Sequence, residues 1–140
     1  MAFMYTFVHH RLLQEPKIMD KSFIESYYAT YNEENPDALR KFYADDVILA
    51  SAMGELHGPD AILATYTGLT SQCHDKMTPL TIDIDGNRAI VAIRDVFTAK
   101  HDLADFMGQP LKKGESFQLN LRGTYTEADG KFTRILIESL

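Results

Sequence analysis

The chain has 140 residues, of which 45% are hydrophobic and 24% charged, the make-up of an ordinary folded domain and not of a disordered or bilayer-embedded chain. A formal net charge of −6, with no Lys/Arg cluster longer than Lys112-Lys113, argues against a surface that neutralises nucleic-acid phosphates. Cys73 is the single cysteine, which excludes an intrachain disulfide and a cysteine-based zinc cluster and fits a reducing cytoplasm.

Residues 1–8 are apolar but lack a basic start, and His9-His10-Arg11 interrupts them before a signal core or a spanning helix can form. With Met19 as a further possible start, residues 1–19 read as an extension ahead of a domain at 20–140. In that extension Phe3, Tyr5 and Phe7 alternate as an edge strand for a partner copy.

Ser22 and Glu25 form a capping-box pattern, and Phe23, Ile24, Tyr27, Tyr28 and Tyr31 follow at helical spacing. Asn35-Pro36-Asp37 starts a second helix, with Asn35 as N-cap, carrying Leu39, Phe42 and Tyr43 inward. After Ala44-Asp45-Asp46 the period becomes two, with Val47, Leu49, Ser51 and Met53 on one face of a short strand closed by Gly54. Gly58-Pro59-Asp60 opens a third helix whose apolar side is Ile62, Leu63, Tyr66 and Leu69.

Leu80, Ile82 and Ile84 alternate up to the turn Asp85-Gly86-Asn87. The returning strand, from Arg88 to about Ala99, has Ala89, Val91, Ile93, Asp95 and Phe97 on one face and Ile90, Ala92, Arg94 and Val96 on the other, which points to a sheet covered on both sides. Residues 100–114 read as an irregular excursion broken by Gly108 and Gly114. A long strand through Phe117, Leu119, Leu121, Gly123 and Tyr125 turns at residues 127–130 into a last strand ending near Glu138. Helices followed by a meander give an α+β class.

Four stretches carry a family resemblance: Tyr43-Ala-Asp-Asp46-Val, Gly54-Glu-Leu-His-Gly58-Pro-Asp-Ala-Ile62, Gly108-Gln-Pro with Lys113-Gly-Glu-Ser-Phe117, and Asp129-Gly130-Lys131-Phe-Thr-Arg134. In this order the chain, from about Ser22 onward, resembles the SnoaL-like branch of the nuclear transport factor 2-like superfamily. The resemblance implies three N-terminal helices packed on a strongly curved, mainly antiparallel sheet. It also implies a cone-shaped apolar pocket and a homodimer through the outer sheet face. It does not fix a function, because enzymes and binding modules share the fold.

Against the ketosteroid isomerase pattern, Tyr27 matches the tyrosine, but Ser51 stands at the base position and Leu121 near the acid position. Against limonene epoxide hydrolase, Asp95 matches the acid, Ile93 replaces the arginine before it, and Glu138 falls at or one residue beyond the second carboxylate. A slip of one residue turns a strand side chain to the other face.

Asp95 is the sharpest candidate, since a carboxylate among Val91, Ile93 and Phe97 needs a partner or a proton. The partners open to it are Arg94, Arg122 and Arg134, with exposure near a strand end as the bland alternative. The expected site has Asp95 and Tyr27 as catalytic residues and Tyr31, Ser51, Phe97, Leu121 and Glu138 as ligand contacts. No metal site or cofactor is called for. His57, and His101 beside Asp102, are loop histidines able to swing over a pocket mouth, and Cys73 reads as a plain free thiol. The functional expectation is a cytoplasmic protein that binds a small apolar organic ligand, acting on it by acid–base chemistry of isomerase, lyase or hydrolase type. The alternative is a non-catalytic binding or dimerisation module.

Overall fold

The computed structural model describes residues 19–140; the edge strand expected from Phe3, Tyr5 and Phe7 lies outside the described residues. Helix α1 spans Lys21–Tyr31 and is capped by Asp20, whose carboxylate accepts from the Phe23 N–H at 2.8 Å. The expected cap at Ser22 is therefore corrected: Ser22 already lies inside the helix, and Asp20 closes the first turn. Ile24, Tyr27, Tyr28 and Tyr31 form the buried stripe. Helix α2, Pro36–Arg40, is capped by Asn35 as its sequence foretells, Asn35 Oδ1 accepting from the Ala38 N–H at 3.2 Å.

Strand β1 covers Tyr43–Ser51, so Tyr43 reaches the core from a strand and not from the second helix. The reason is pairing: the Phe132 N–H donates to the Phe42 carbonyl at 2.7 Å and Tyr43 stands opposite Phe132, drawing this stretch into the sheet. Strand β2, Gly54–His57, folds back on β1 with His57 opposite Ile48. His57 thus belongs to a strand and not to a turn, and its ring faces Glu55 at 3.1 Å. Helix α3, Pro59–Gln72, starts after Gly58, whose φ of 84° suits glycine.

Strand β3 runs Cys73–Asp85, β4 Arg88–Ala99, β7 Ser116–Ala128 and β8 Lys131–Ser139. Between β4 and β7 the expected irregular excursion is instead a hairpin, β5 at Leu103–Phe106 and β6 at Gln109–Leu111. Its two-residue tip, Met107-Gly108, has φ of 51° and 92°, the positive values that such turns require. Phe106 and Leu111 tie the hairpin to Cys73, Phe97 and Ala99 in a small second core.

The six-stranded sheet has the order β2-β1-β8-β7-β4-β3, parallel between β1 and β8 and antiparallel elsewhere. The fold is α+β, with helices packed against a large curved mixed sheet. The main core joins the α1 stripe to Val91, Ile93, Tyr125, Phe132 and Ile135 of the sheet. The opposite face of β4 is not covered among the described residues: Ile90 and Arg94 are exposed there and Ala92 and Val96 half-buried. Among the described residues the helices cover only the inner face, and these apolar side chains stand on the outer one. No helix among the described residues is long and apolar enough to cross a membrane.

Candidate functional site: two carboxyl groups in an apolar cavity

A cavity of about 330 Å³ lies between the helices and the sheet. Its wall is built from β-strand side chains of the inner face, among them Leu49, Phe97 and Leu121, and from tyrosines of α1 and α3. Into this wall the sheet places two aspartates. In the β3–β4 ladder Met77 stands opposite Asp95 and Phe97 opposite Asp75, so the two carboxyl groups are diagonal neighbours on one face. Asp95 is 1% exposed and Asp75 4%.

The two carboxyl groups lie close enough to perturb each other's ionisation, and two buried neighbouring carboxylates favour a state in which one of them keeps its proton. Asp75 Oδ1 and Asp95 Oδ1 are buried oxygens to which no N–H or hydroxyl among the described residues donates. Burial, with Asp75 beside it, pushes Asp95 up to about 10. Burial also raises Asp75, but its neighbour Asp95 and the bond from Tyr31 pull the other way. Tyr31 Oη donates to Asp75 Oδ2 at 2.6 Å. Asp95 is accordingly the proton holder and Asp75 the carboxyl that ionises first. Tyr31 is held in turn by Tyr66, whose ring lies 4.9 Å from the Tyr31 ring and whose hydroxyl donates to the Tyr31 carbonyl.

A second polar group on the wall is the hydroxyl pair Tyr27 and Tyr43, 2.8 Å apart. Burial raises both above an ordinary phenol, so both stay protonated. One proton lies between the two oxygens and the other is left for a ligand. Tyr28 and Tyr125 form a like pair at 2.7 Å, with Tyr28 packed in the core.

This inner-face cavity under an α+β frame coincides with a match of residues 24–135 to the model of the SnoaL-like domain. The chain belongs to the SnoaL-like domain family. Solved structures of the same fold include a candidate polyketide cyclase from Xanthomonas campestris pv. campestris, with TM-score 0.73 and 19% identity over 85% of this chain and 88% of that one. An LEH-like epoxide hydrolase from M. tuberculosis matches with TM-score 0.69 and 12% identity, over 85% and 80% of the two chains. A protein of ketosteroid isomerase-like fold from Catenulispora acidiphila, in complex with trimethylamine, matches with TM-score 0.69 and 13% identity, over 85% of each chain. Comparison with curated proteins finds no match. At these identities the likeness is one of fold, and the chemistry has to be read from this chain's own side chains.

In this SnoaL-like domain all seven residues expected at the site border the one cavity: Tyr27, Tyr31, Ser51, Asp95, Phe97, Leu121 and Glu138. Their arrangement differs from expectation at three points. The partner of Asp95 is Asp75 and not an arginine: Arg94 points to the outer face by the two-residue period, Arg122 bonds Glu138 at 3.2 Å, and Arg134 stands opposite Thr126 at the sheet's outer side. Glu138 borders the cavity, yet its carboxylate is committed to Arg122, which faces away from inward-pointing Leu121 and Gly123. Ser51 Oγ accepts from the Met53 N–H at 3.2 Å and so belongs to the β1–β2 turn as well as to the cavity.

Neither His57 nor His101 borders the cavity, and Asp102 accepts from the Lys113 N–H at 2.9 Å instead of orienting His101. Cys73 is buried, with burial pushing its thiol up to about 11, so a thiolate is disfavoured. Asp75 is the residue that sequence reasoning missed. Its signal was the alternation Cys73, Asp75, Met77, hidden because its middle member is charged and Pro79 follows.

Proposed function

We propose that this protein binds a small, mainly apolar organic molecule in the cavity and transforms it by acid–base chemistry of a kind that needs no cofactor. Asp95 gives a proton to the ligand and Asp75 takes one from it, or from a water beside it; the proton then returns from Asp75 to its diagonal neighbour Asp95. Tyr31 positions Asp75, and the spare hydroxyl proton of the Tyr27–Tyr43 pair steadies a ligand oxygen. An isomerase, lyase or hydrolase reaction fits this exchange. The observation that carries the reading is a diagonal pair of carboxyl groups, both buried in the wall of a ligand-sized, mainly apolar cavity.

The experiment is a turnover screen with small carbonyl, epoxide and hydroxyl compounds, followed by Asp95→Asn and Asp75→Asn. Each variant is expected to lower kcat/KM by about 10²- to 10⁴-fold while keeping the fold. Unchanged turnover in Asp95→Asn removes it from the mechanism, and binding without turnover of any compound leaves the cavity as a carrier site. A cytoplasmic location agrees with a sequence that has a single cysteine and so forms no intrachain disulfide. A homodimer through the open outer face agrees with the apolar side chains left there, Ile90 and Val96 among them.

A further inference from the structure

The residues bordering the cavity include five tyrosines and three carboxyl groups, and among the described residues none of them is a lysine, arginine or histidine. Two of those carboxyl groups, Asp75 and Asp95, are more than nine-tenths buried, and outside the pair only Tyr31 bonds either of them. The titratable groups that face them are Tyr27, Tyr28 and Tyr31 from α1, Tyr66 from α3, Cys73 on β3, and Glu34 from the α1–α2 connection, whose carboxylate is already paired with Lys100 Nζ at 2.9 Å and His74 Nδ1 at 3.4 Å. The one lysine in this surrounding, Lys100, is spent on Glu34 and the Thr70 carbonyl, and no cationic side chain bonds Asp75 or Asp95 among the described residues. A carboxylate buried without a counter-ion is costly, and what it lacks is a cation.

We infer that the ligand of this cavity is a small organic cation, an oxygen-bearing compound with a protonated alkylamino group whose N–H reaches the Asp75–Asp95 pair while its alkyl groups lie against the apolar and tyrosine wall. This deepens the proposed function and rests on its reading of the cavity as a ligand site. The charge is matched by the singly protonated pair, and aromatic rings accept the flanks of an ammonium group more readily than they accept an anion. Carboxylates, phosphates and other anionic ligands are disfavoured, since among the described lining residues they find no cationic partner. Binding also couples to pH. When both carboxyl groups are protonated the pair is neutral, so the cation binds better as Asp75 ionises; affinity rises with pH until the amine loses its own proton.

The test is calorimetric titration of the full-length protein with dimethylcyclohexylamine, cyclohexyl methyl ketone and cyclohexanecarboxylate at about pH 6 and about pH 8. The amine is expected to bind at least about tenfold more tightly than the ketone, with the carboxylate weakest, and to gain affinity at the higher pH. Its binding should persist in about 1 M salt, which screens attraction to the acidic surface but not to a buried pair. The double variant Asp75→Asn with Asp95→Asn should lose the preference for amine over ketone. Equal or tighter binding of the ketone overturns the inference and leaves the cavity a small-molecule site. Amine binding that vanishes in salt or falls with pH also overturns it, whether or not the double variant folds. Failure of all three probes to bind overturns the cavity reading along with it.

Discussion

A carboxyl group that keeps its proton on folding makes stability fall as pH rises, because the unfolded chain releases that proton and the folded chain does not. Asp95 is such a group, raised from 3.8 to about 10 chiefly by burial. Its contribution is full below the unfolded value and is lost as pH climbs towards the folded one. Between these limits the expected slope is about −1.4 kcal/mol per pH unit for one retained proton. Urea unfolding from about pH 5 to pH 9 should show wild-type stability declining and Asp95→Asn declining less steeply; parallel lines for the two proteins would contradict a retained proton at this position. Gly123 makes a second prediction at the same scale. A Cβ there falls 2.6 Å from Tyr125 Cε2 and 3.1 Å from Ile93 Cδ1, so the ring of Tyr125 occupies the space that only glycine leaves. Gly123→Ala should displace that ring from Tyr28, destabilise the domain by about 1–3 kcal/mol, and lower the melting temperature accordingly.

Strand β3 carries Asp75 at the edge of the sheet, where no further strand among the described residues pairs with its outer side. Asn32, just past the end of α1, supplies the missing pairing: its side chain donates to the Met77 carbonyl and accepts from the Met77 N–H, each at 2.9 Å. Asn32→Ala should cost about 1–3 kcal/mol for the two bonds and raise hydrogen exchange at the Met77 amide above that at the β4 amides. Unchanged exchange there would mean that Asn32 does not hold the strand. This element also marks how far the sequence could be read. The α1 stripe, the Asn35 and Pro59 helix starts, and the inner face of β4 follow from periods and caps that a single segment contains. The first half of β3 does not, because its buried face includes a charged residue and its outer edge tolerates Pro79. Asp95 could be placed on an apolar face from its own strand. Its partner could not, since the diagonal register of β3 against β4, with a shift between Pro79 and Thr81, is a property of two strands together.

At the scale of the molecule, the helices and the cavity take one side of the sheet and, among the described residues, leave the other side open. Across that open side Ile90, Thr124, Leu136 and Ala50 lie in register from β4 through β7 and β8 to β1. Beside this row, Arg122 and Glu138 form an exposed ion pair on the same face. An apolar row flanked by both charges can meet its own copy across a two-fold axis, each cation facing an anion. The homodimer proposed from this face should run at twice the chain mass in light scattering at micromolar concentration. The double variant Ile90→Glu with Leu136→Glu puts like charges against each other at the interface and should halve that mass. A wild-type monomer, or a variant that stays dimeric, would rule this face out as the contact. Because the row faces away from Asp75 and Asp95, the monomeric variant should still bind ligand, so loss of the dimer and loss of the site are separable in one protein.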